Sequence, residues 1–142
     1  MSARASSDEL PGAAPLPEPA EVDVEFDYDL SRLSEVRAVV RAYAESYGLD
    51  SDRVAGFELA ASEIATNSIR YGGGHGHLRC WSDSACVCEL RDAGRIEQPM
   101  VRRMRPVAGQ TSGYGLWLAQ QLCDQVQIRS GDRGTVVRLS SS

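Results

Sequence analysis

The segment from Ser51 to Tyr71 constrains this chain more than any other. It reads as one long helix that begins after Asp50 or Ser51 and ends in the consecutive glycines Gly72, Gly73 and Gly74. At about 100° per residue, Val54, Phe57, Ala61, Ile64 and Ser68 fall on one stripe. Glu63, Asn67 and Arg70 fall on a second, well separated stripe, beside the small residues Gly56 and Ala60. Phe57, Leu59, Ala60, Ala61, Ile64, Ala65 and Ile69 make the helix apolar nearly all round, so it is expected to be largely buried. A Glu–Asn stripe on a buried helix is harder to explain as surface polarity than the same pair on a solvated one.

The flanking signals are regular. From Glu21 to Leu30, Val22, Val24, Phe26 and Tyr28 alternate with Asp23, Glu25, Asp27 and Asp29, which predicts a half-buried strand. Ser31 offers an N-cap for a helix through about Tyr47, with Gly48 as its terminator. Residues 77–82 and 85–91 read as a hairpin turning at Ser82, Asp83 and Ser84. Residues 95–112 lack periodicity, and a loop of that length in a compact domain is functional or mobile. Gly113-Tyr114-Gly115 opens a helix to about Cys123, and strands over 125–130 and 135–139 follow. The order β-α-α-β-β-α-β-β predicts an α+β two-layer sandwich, a mixed sheet with helices on one face. The first twenty residues hold four of the six prolines and five alanines, so a disordered tail (1–20) is expected before a single domain (21–142).

Composition removes several functions. All 15 basic residues are Arg. Without Lys there is no Walker-type phosphate loop, no pyridoxal Schiff base and no protein kinase of the common eukaryotic type. Residues 1–71 hold 14 acids against 6 Arg, net −8; residues 72–142 hold 6 acids against 9 Arg, net +3. An acidic chain with no basic stripe is a poor partner for nucleic acid. No apolar run is long enough to span a membrane, and the N-terminus lacks the apolar core of a secretory signal, so a cytoplasmic protein is expected. Cys80, Cys86, Cys88 and Cys123 form no C-x-x-C pair and read as small buried hydrophobes. His75 and His77 sit in a glycine-rich turn with no carboxylate nearby in sequence, which argues against a metal site there.

Four groups can carry chemistry. Glu63 and Asn67, four apart on a helix, present adjacent oxygens of the hard kind that Mg²⁺ prefers. Asp92-Ala93-Gly94 at a strand end can accept a hydrogen bond from an exocyclic amine and bring backbone close to a flat ligand. Gly113-Tyr114-Gly115-Leu116 at a helix start offers backbone N–H groups to an anion. Gly134-Thr135 enters the last strand. Each of these alone has an ordinary structural explanation, as surface polarity, turn or cap.

In this order, Glu-x-x-x-Asn, Asp-x-Gly, a long loop, Gly-x-Gly-Leu and Gly-Thr resemble the GHKL ATPase superfamily and, more narrowly, the small anti-sigma-factor serine kinases of the RsbW type. The resemblance covers about residues 22–140 and implies the Bergerat ATP-binding fold, with ATP and Mg²⁺ as ligands. Glu63 would be the general base and Asn67 the Mg²⁺ ligand. Asp92 would bind the adenine amine with Gly94 beneath the ring, Gly113, Gly115 and Leu116 would form the phosphate turn, and Thr135 would support the adenine pocket. The 95–112 loop would be the lid, where Arg102, Arg103 and Arg105 are the candidates for a cationic phosphate contact. The chain departs from the pattern at Ile96, where a second glycine is usual, and at Tyr114, where relatives often have Arg. The resemblance further implies a sigma factor and its antagonist protein as partners in transcription and stress regulation, Ser or Thr phosphorylation of the antagonist, and a homodimer. A nucleotide-dependent binding switch with little turnover is the alternative.

Overall fold

The computed structural model describes residues 14–94 and 114–142. Strand β1 (Val24–Asp29) passes through a short 3-10 turn (Leu30–Arg32) into α1 (Leu33–Tyr47), followed by α2 (Ser51–Tyr71). The hairpin β2 (His75–Ser82) and β3 (Cys86–Asp92) comes next. Helix α3 (Tyr114–Leu122) then precedes the hairpin β4 (Gln125–Gly131) and β5 (Gly134–Ser141). The strands form one sheet in the order β1-β2-β3-β5-β4. Alternate residues of the sheet, among them Tyr28, Leu78, Cys88, Leu90, Ile128 and Leu139, bury against Val36, Val40, Phe57, Ala61 and Ile64 of the helices. All four cysteines are free and buried in the described structure. The result is the expected α+β two-layer sandwich.

Several local expectations need correction. The sheet is not mixed: all four strand pairings among the described residues are antiparallel. The last hairpin docks through β5 rather than β4. Strand β5 is buried on both sides, with Val137 and Leu139 on one and Arg138 on the other, whereas β4 alternates polar and apolar residues as an edge strand does. The turn before α1 is capped by Asp29 and not by Ser31; the Asp29 carboxylate accepts the Ser31 N–H at 2.9 Å and the Ser31 hydroxyl at 2.6 Å. Helix α2 begins at Ser51 because the Asp50 side chain accepts the Arg53 N–H at 2.9 Å. His75 and His77 belong to β2, and β1 brings Asp27 and Glu25 within 2.6 and 2.7 Å of the His77 ring. Burial alone would lower the His77 pKa, but the bonds to Asp27 and Glu25 outweigh it and raise it.

Of the segment expected to be a disordered tail, residues 1–13 lie outside the described residues. Residues 14–20 lie against the sheet face that carries no helix. The Arg129 Nε donates to the Ala14 carbonyl at 2.7 Å, and Arg138 Nη1 to the Pro17 carbonyl at 2.8 Å. Leu16 is buried, and Glu18 bonds Arg79 at 3.0 Å and Arg91 at 3.4 Å. The segment has no core of its own, but it meets a face made for it, and its prolines reduce the entropy lost on ordering.

That face is ionic at its centre. Glu89 is fully buried (0% exposed) and accepts from Arg79, Arg91 and Arg138 at 2.8, 3.0 and 2.7 Å. Burial would raise its pKa, yet the three guanidiniums hold it below the ordinary carboxylate value. A depressed folded pKa gives stability that is present above the unfolded value and lost as pH falls through the folded one. Glu89→Gln leaves the buried Arg138 uncompensated and should lower stability at neutral pH by about 3 kcal/mol, a fall in the thermal midpoint on the order of 10 °C. The two proteins should converge only in strong acid. A loss below about 1 kcal/mol, in the range of an exposed ion pair, would show that the cluster behaves as solvated.

Candidate nucleotide site

Helix α2 is buried on two sides. Its Phe57 stripe faces the sheet, and its stripe of Gly56, Ala60, Glu63 and Asn67 faces α3. At one end a Cβ on Gly56 would lie 3.4 Å from the Leu122 side chain. At the other, a Cβ on Gly115 would come within 3.0 Å of the Asn67 amide nitrogen and 3.3 Å of Glu63 Cβ. The small residues thus let the two helices approach closely, and the first turn of α3 is set directly on the Glu63–Asn67 pair. Leu116, the next residue, is buried and anchors this turn in the core. The sequence places the pair and the glycine turn some fifty residues apart; the fold puts them in contact.

The other expected residues gather at the C-terminal end of α2. Asp92 closes β3 opposite Thr135 of β5. The Asp92 carboxylate accepts the Gly94 N–H at 2.8 Å, and the Thr135 hydroxyl donates to the Gly94 carbonyl at 2.9 Å. With the Thr135 proton committed there, the Ser130 hydroxyl at 2.8 Å is left to donate to Thr135 Oγ1. Gly94 also has a packing role, because a Cβ there would press on the Tyr71 carbonyl at 2.6 Å and Gly72 Cα at 2.7 Å. Asp92, Gly94 and Thr135 therefore form one unit clamped to the end of α2.

Several residues that hold this unit were not singled out from sequence. Ser68, adjacent to Asn67 on α2, lies beside Asp92 and 2.8 Å from the Tyr28 hydroxyl, and its own hydroxyl donates to the Ile64 carbonyl at 3.3 Å. Burial pushes the Tyr28 phenol up to about 12, so it remains a proton donor to Ser68. Tyr28 reaches that position across Gly76 of β2, its register partner, where any Cβ would run into the phenol ring. A Cβ on Gly72 would strike the Asp92 carboxyl itself. The first glycine after the long helix was a visible signal, though it read only as a terminator. Gly113, Ile96, Arg102, Arg103, Arg105 and the rest of the 95–112 loop lie outside the described residues.

Chemically, Asp92 is a half-buried hydrogen-bond acceptor. Burial raises its pKa, and the bonds from Gly94 and Ser68 and the nearby His75 offset this only in part. Such a group suits an amine donor that takes the place of water. Glu63 and Asn67 supply oxygen donors of the class that holds Mg²⁺ together with substrate phosphates. A helix start that opens on glycine beside them suits phosphate oxygens.

A two-layer sandwich with a polar helical stripe against a glycine turn, and a half-buried Asp at a strand end, is an arrangement suited to a nucleotide. The chain belongs to the histidine kinase-like ATPase domain family, which it matches over residues 26–141. Among solved structures it is similar to that of the RsbU and RsbW domains of Rv1364c from Mycobacterium tuberculosis, with 19% identity and a TM-score of 0.59. That likeness covers 84% of this chain and 32% of the other, so the present chain spans about a third of that protein's length, and the likeness is one of fold. No curated protein matches the sequence. Among the described residues no helix is long and apolar enough to cross a membrane.

Two outcomes follow from this geometry. A raised folded pKa at Asp92 means that its contribution to stability falls as pH rises through that pKa. Asp92→Asn should therefore raise the thermal midpoint of the ligand-free protein at pH 7, with the difference vanishing near about pH 3, while adenine-nucleotide affinity drops roughly tenfold or more. A variant less stable at pH 7 would contradict the desolvation argument. Gly115→Val should push α3 off Asn67 and reduce nucleotide affinity at least about tenfold with a stability loss of only about 1–3 kcal/mol, measured by titration calorimetry and thermal unfolding. Unchanged affinity would separate this turn from the ligand.

Proposed function

We propose that this chain is an ATP-binding regulator of the anti-sigma-factor kinase kind, which transfers the γ-phosphoryl group of Mg-ATP to a Ser or Thr of an antagonist protein and sequesters a sigma factor. The observation that carries the reading is Gly115 seated on the Glu63–Asn67 pair; it supports a base at Glu63, a metal ligand at Asn67 and a phosphate turn beside them. Family membership supports ATP as the ligand. The fold shared with a structure that contains an RsbW domain supports the regulatory role.

In this reading Asp92 accepts a hydrogen bond from the adenine amine, and Thr135 and Gly94 shape the pocket beside it. Asn67 would hold Mg²⁺, whose charge offsets that of the phosphate oxygens. Glu63 accepts the proton of the partner hydroxyl as its oxygen bonds to the γ-phosphorus. The bond from that phosphorus to the bridging oxygen breaks, and ADP leaves. Phosphoryl transfer depends mainly on positioning and charge stabilisation, and here α2 and α3 provide the positioning.

Mg-ATP at about 100 times its dissociation constant should stabilise the protein by roughly 2.7 kcal/mol, a shift of several degrees in the thermal midpoint. Glu63→Gln should keep that shift and lose transfer of labelled γ-phosphate to a Ser-bearing antagonist by about 10²-fold or more. Asn67→Ala should lose the part of the shift that requires Mg²⁺. Nucleotide binding without transfer in the unmodified protein would leave a nucleotide-gated binding switch, and no shift at millimolar ATP would sink the reading altogether.

A further inference from the structure

The helix-free face of the sheet carries features that a nucleotide site does not need. Arg79, Arg91, Arg129 and Arg138 converge there from β2, β3, β4 and β5, and the buried Glu89 bonds three of them. Trp81 lies between two of them, with the Arg138 guanidinium 4.8 Å and the Arg79 guanidinium 5.4 Å from its ring centre. The cluster is confined to this end of the face, since Glu25 and Asp27 of β1 are engaged with His77 at the other.

Residues 14–18 occupy this cluster as a ligand would. The segment forms no helix or strand, with proline at 15, 17 and 19 and, between them, the buried Leu16 and the exposed Glu18 that meet the face. Its anchors are one buried leucine, one carboxylate shared by two arginines, and two main-chain carbonyls that accept from arginines. It forms no strand ladder with the sheet. Glu18 keeps 64% of its side chain in water, and a cleft of about 450 Å³ remains between the segment and the β4–β5 turn. So slight a hold on so cationic a face is that of a replaceable strap.

We propose that this face is a docking surface for an extended acidic segment of a partner protein, and that residues 14–18 cover it in cis as a pseudo-ligand. The partner segment pairs an apolar side chain with a carboxylate two residues on, in the pattern of Leu16 and Glu18. The strap sets a threshold. A tethered ligand has an effective concentration in the millimolar range, so a free segment of similar affinity is excluded until the strap is released or outcompeted.

The test uses the full chain and a labelled peptide of its own residues 14–20, Ala-Pro-Leu-Pro-Glu-Pro-Ala, followed by fluorescence anisotropy. The double variant Leu16→Asp with Glu18→Arg frees the face and should bind the peptide at least tenfold more tightly than the unmodified chain, with affinity falling as salt rises. The same peptide with its Glu replaced by Gln should bind several-fold more weakly, and adding Arg91→Glu to the double variant should remove the gain. Equal binding by the freed and unmodified chains, with unfolding showing both folded, would overturn the proposal. Concentration-dependent dimerisation of the freed chain in place of peptide binding would overturn it too, by assigning the face to a second copy.

Discussion

Everything in the functional half of the molecule depends on the burial of α2 along two separate stripes. The Phe57 stripe supplies the larger apolar area and fixes the helix on the sheet, so it sets the rotation of α2 about its own axis. Once that rotation is set, the stripe of Gly56, Ala60, Glu63 and Asn67 can point only toward α3. The small residues at one end of that stripe allow α3 to settle closely, and its other end then meets Gly115. The hydrophobic contact is non-directional, but the shape it forces is not. Two polar side chains are held half-buried, where water competes poorly with a ligand.

The two faces of the sheet use different physics. Toward the helices the contacts are apolar and the buried polar groups form short satisfied chains, such as Tyr28–Ser68–Ile64 and Ser130–Thr135–Gly94. Away from the helices, charge is matched with charge, and Glu89 is buried only because three arginines surround it. An ionic centre of this kind adds little net stability over an apolar one, but it resists mispairing because any other register strands a charge. Strand β3 takes part in both faces, with Glu89 and Arg91 on one and Leu90 and Asp92 on the other.

The parts of this structure legible in the sequence were those written in local pattern. The alternation of β1, the stripes of α2, the two hairpins and the glycine opening of α3 each follow from the residues that form them. The pairing of Glu63 with Asn67 was visible because helical neighbours are neighbours in sequence. What was hidden is what sequence distance hides. No local rule says that β5 rather than β4 lies beside β3, where Arg138 reaches Glu89 across 49 residues. The same limit applies to residues 14–20, whose composition suits disorder and whose order comes from arginines more than sixty residues away. Ser68 falls on the buried stripe, yet its place beside Asp92 could not be read from either residue alone.

The glycine at position 76 shows how far the demands of a binding site extend. Tyr28 crosses that position to bond Ser68, which lies beside the carboxyl of Asp92. A methyl group at residue 76 would lie a strand away from Asp92, yet it would evict the phenol and strip Ser68 of its partner. Drift at this strand is thus limited by the packing of a tyrosine from the neighbouring one, and a comparison of related chains that weighed positions by distance from Asp92 would undervalue it.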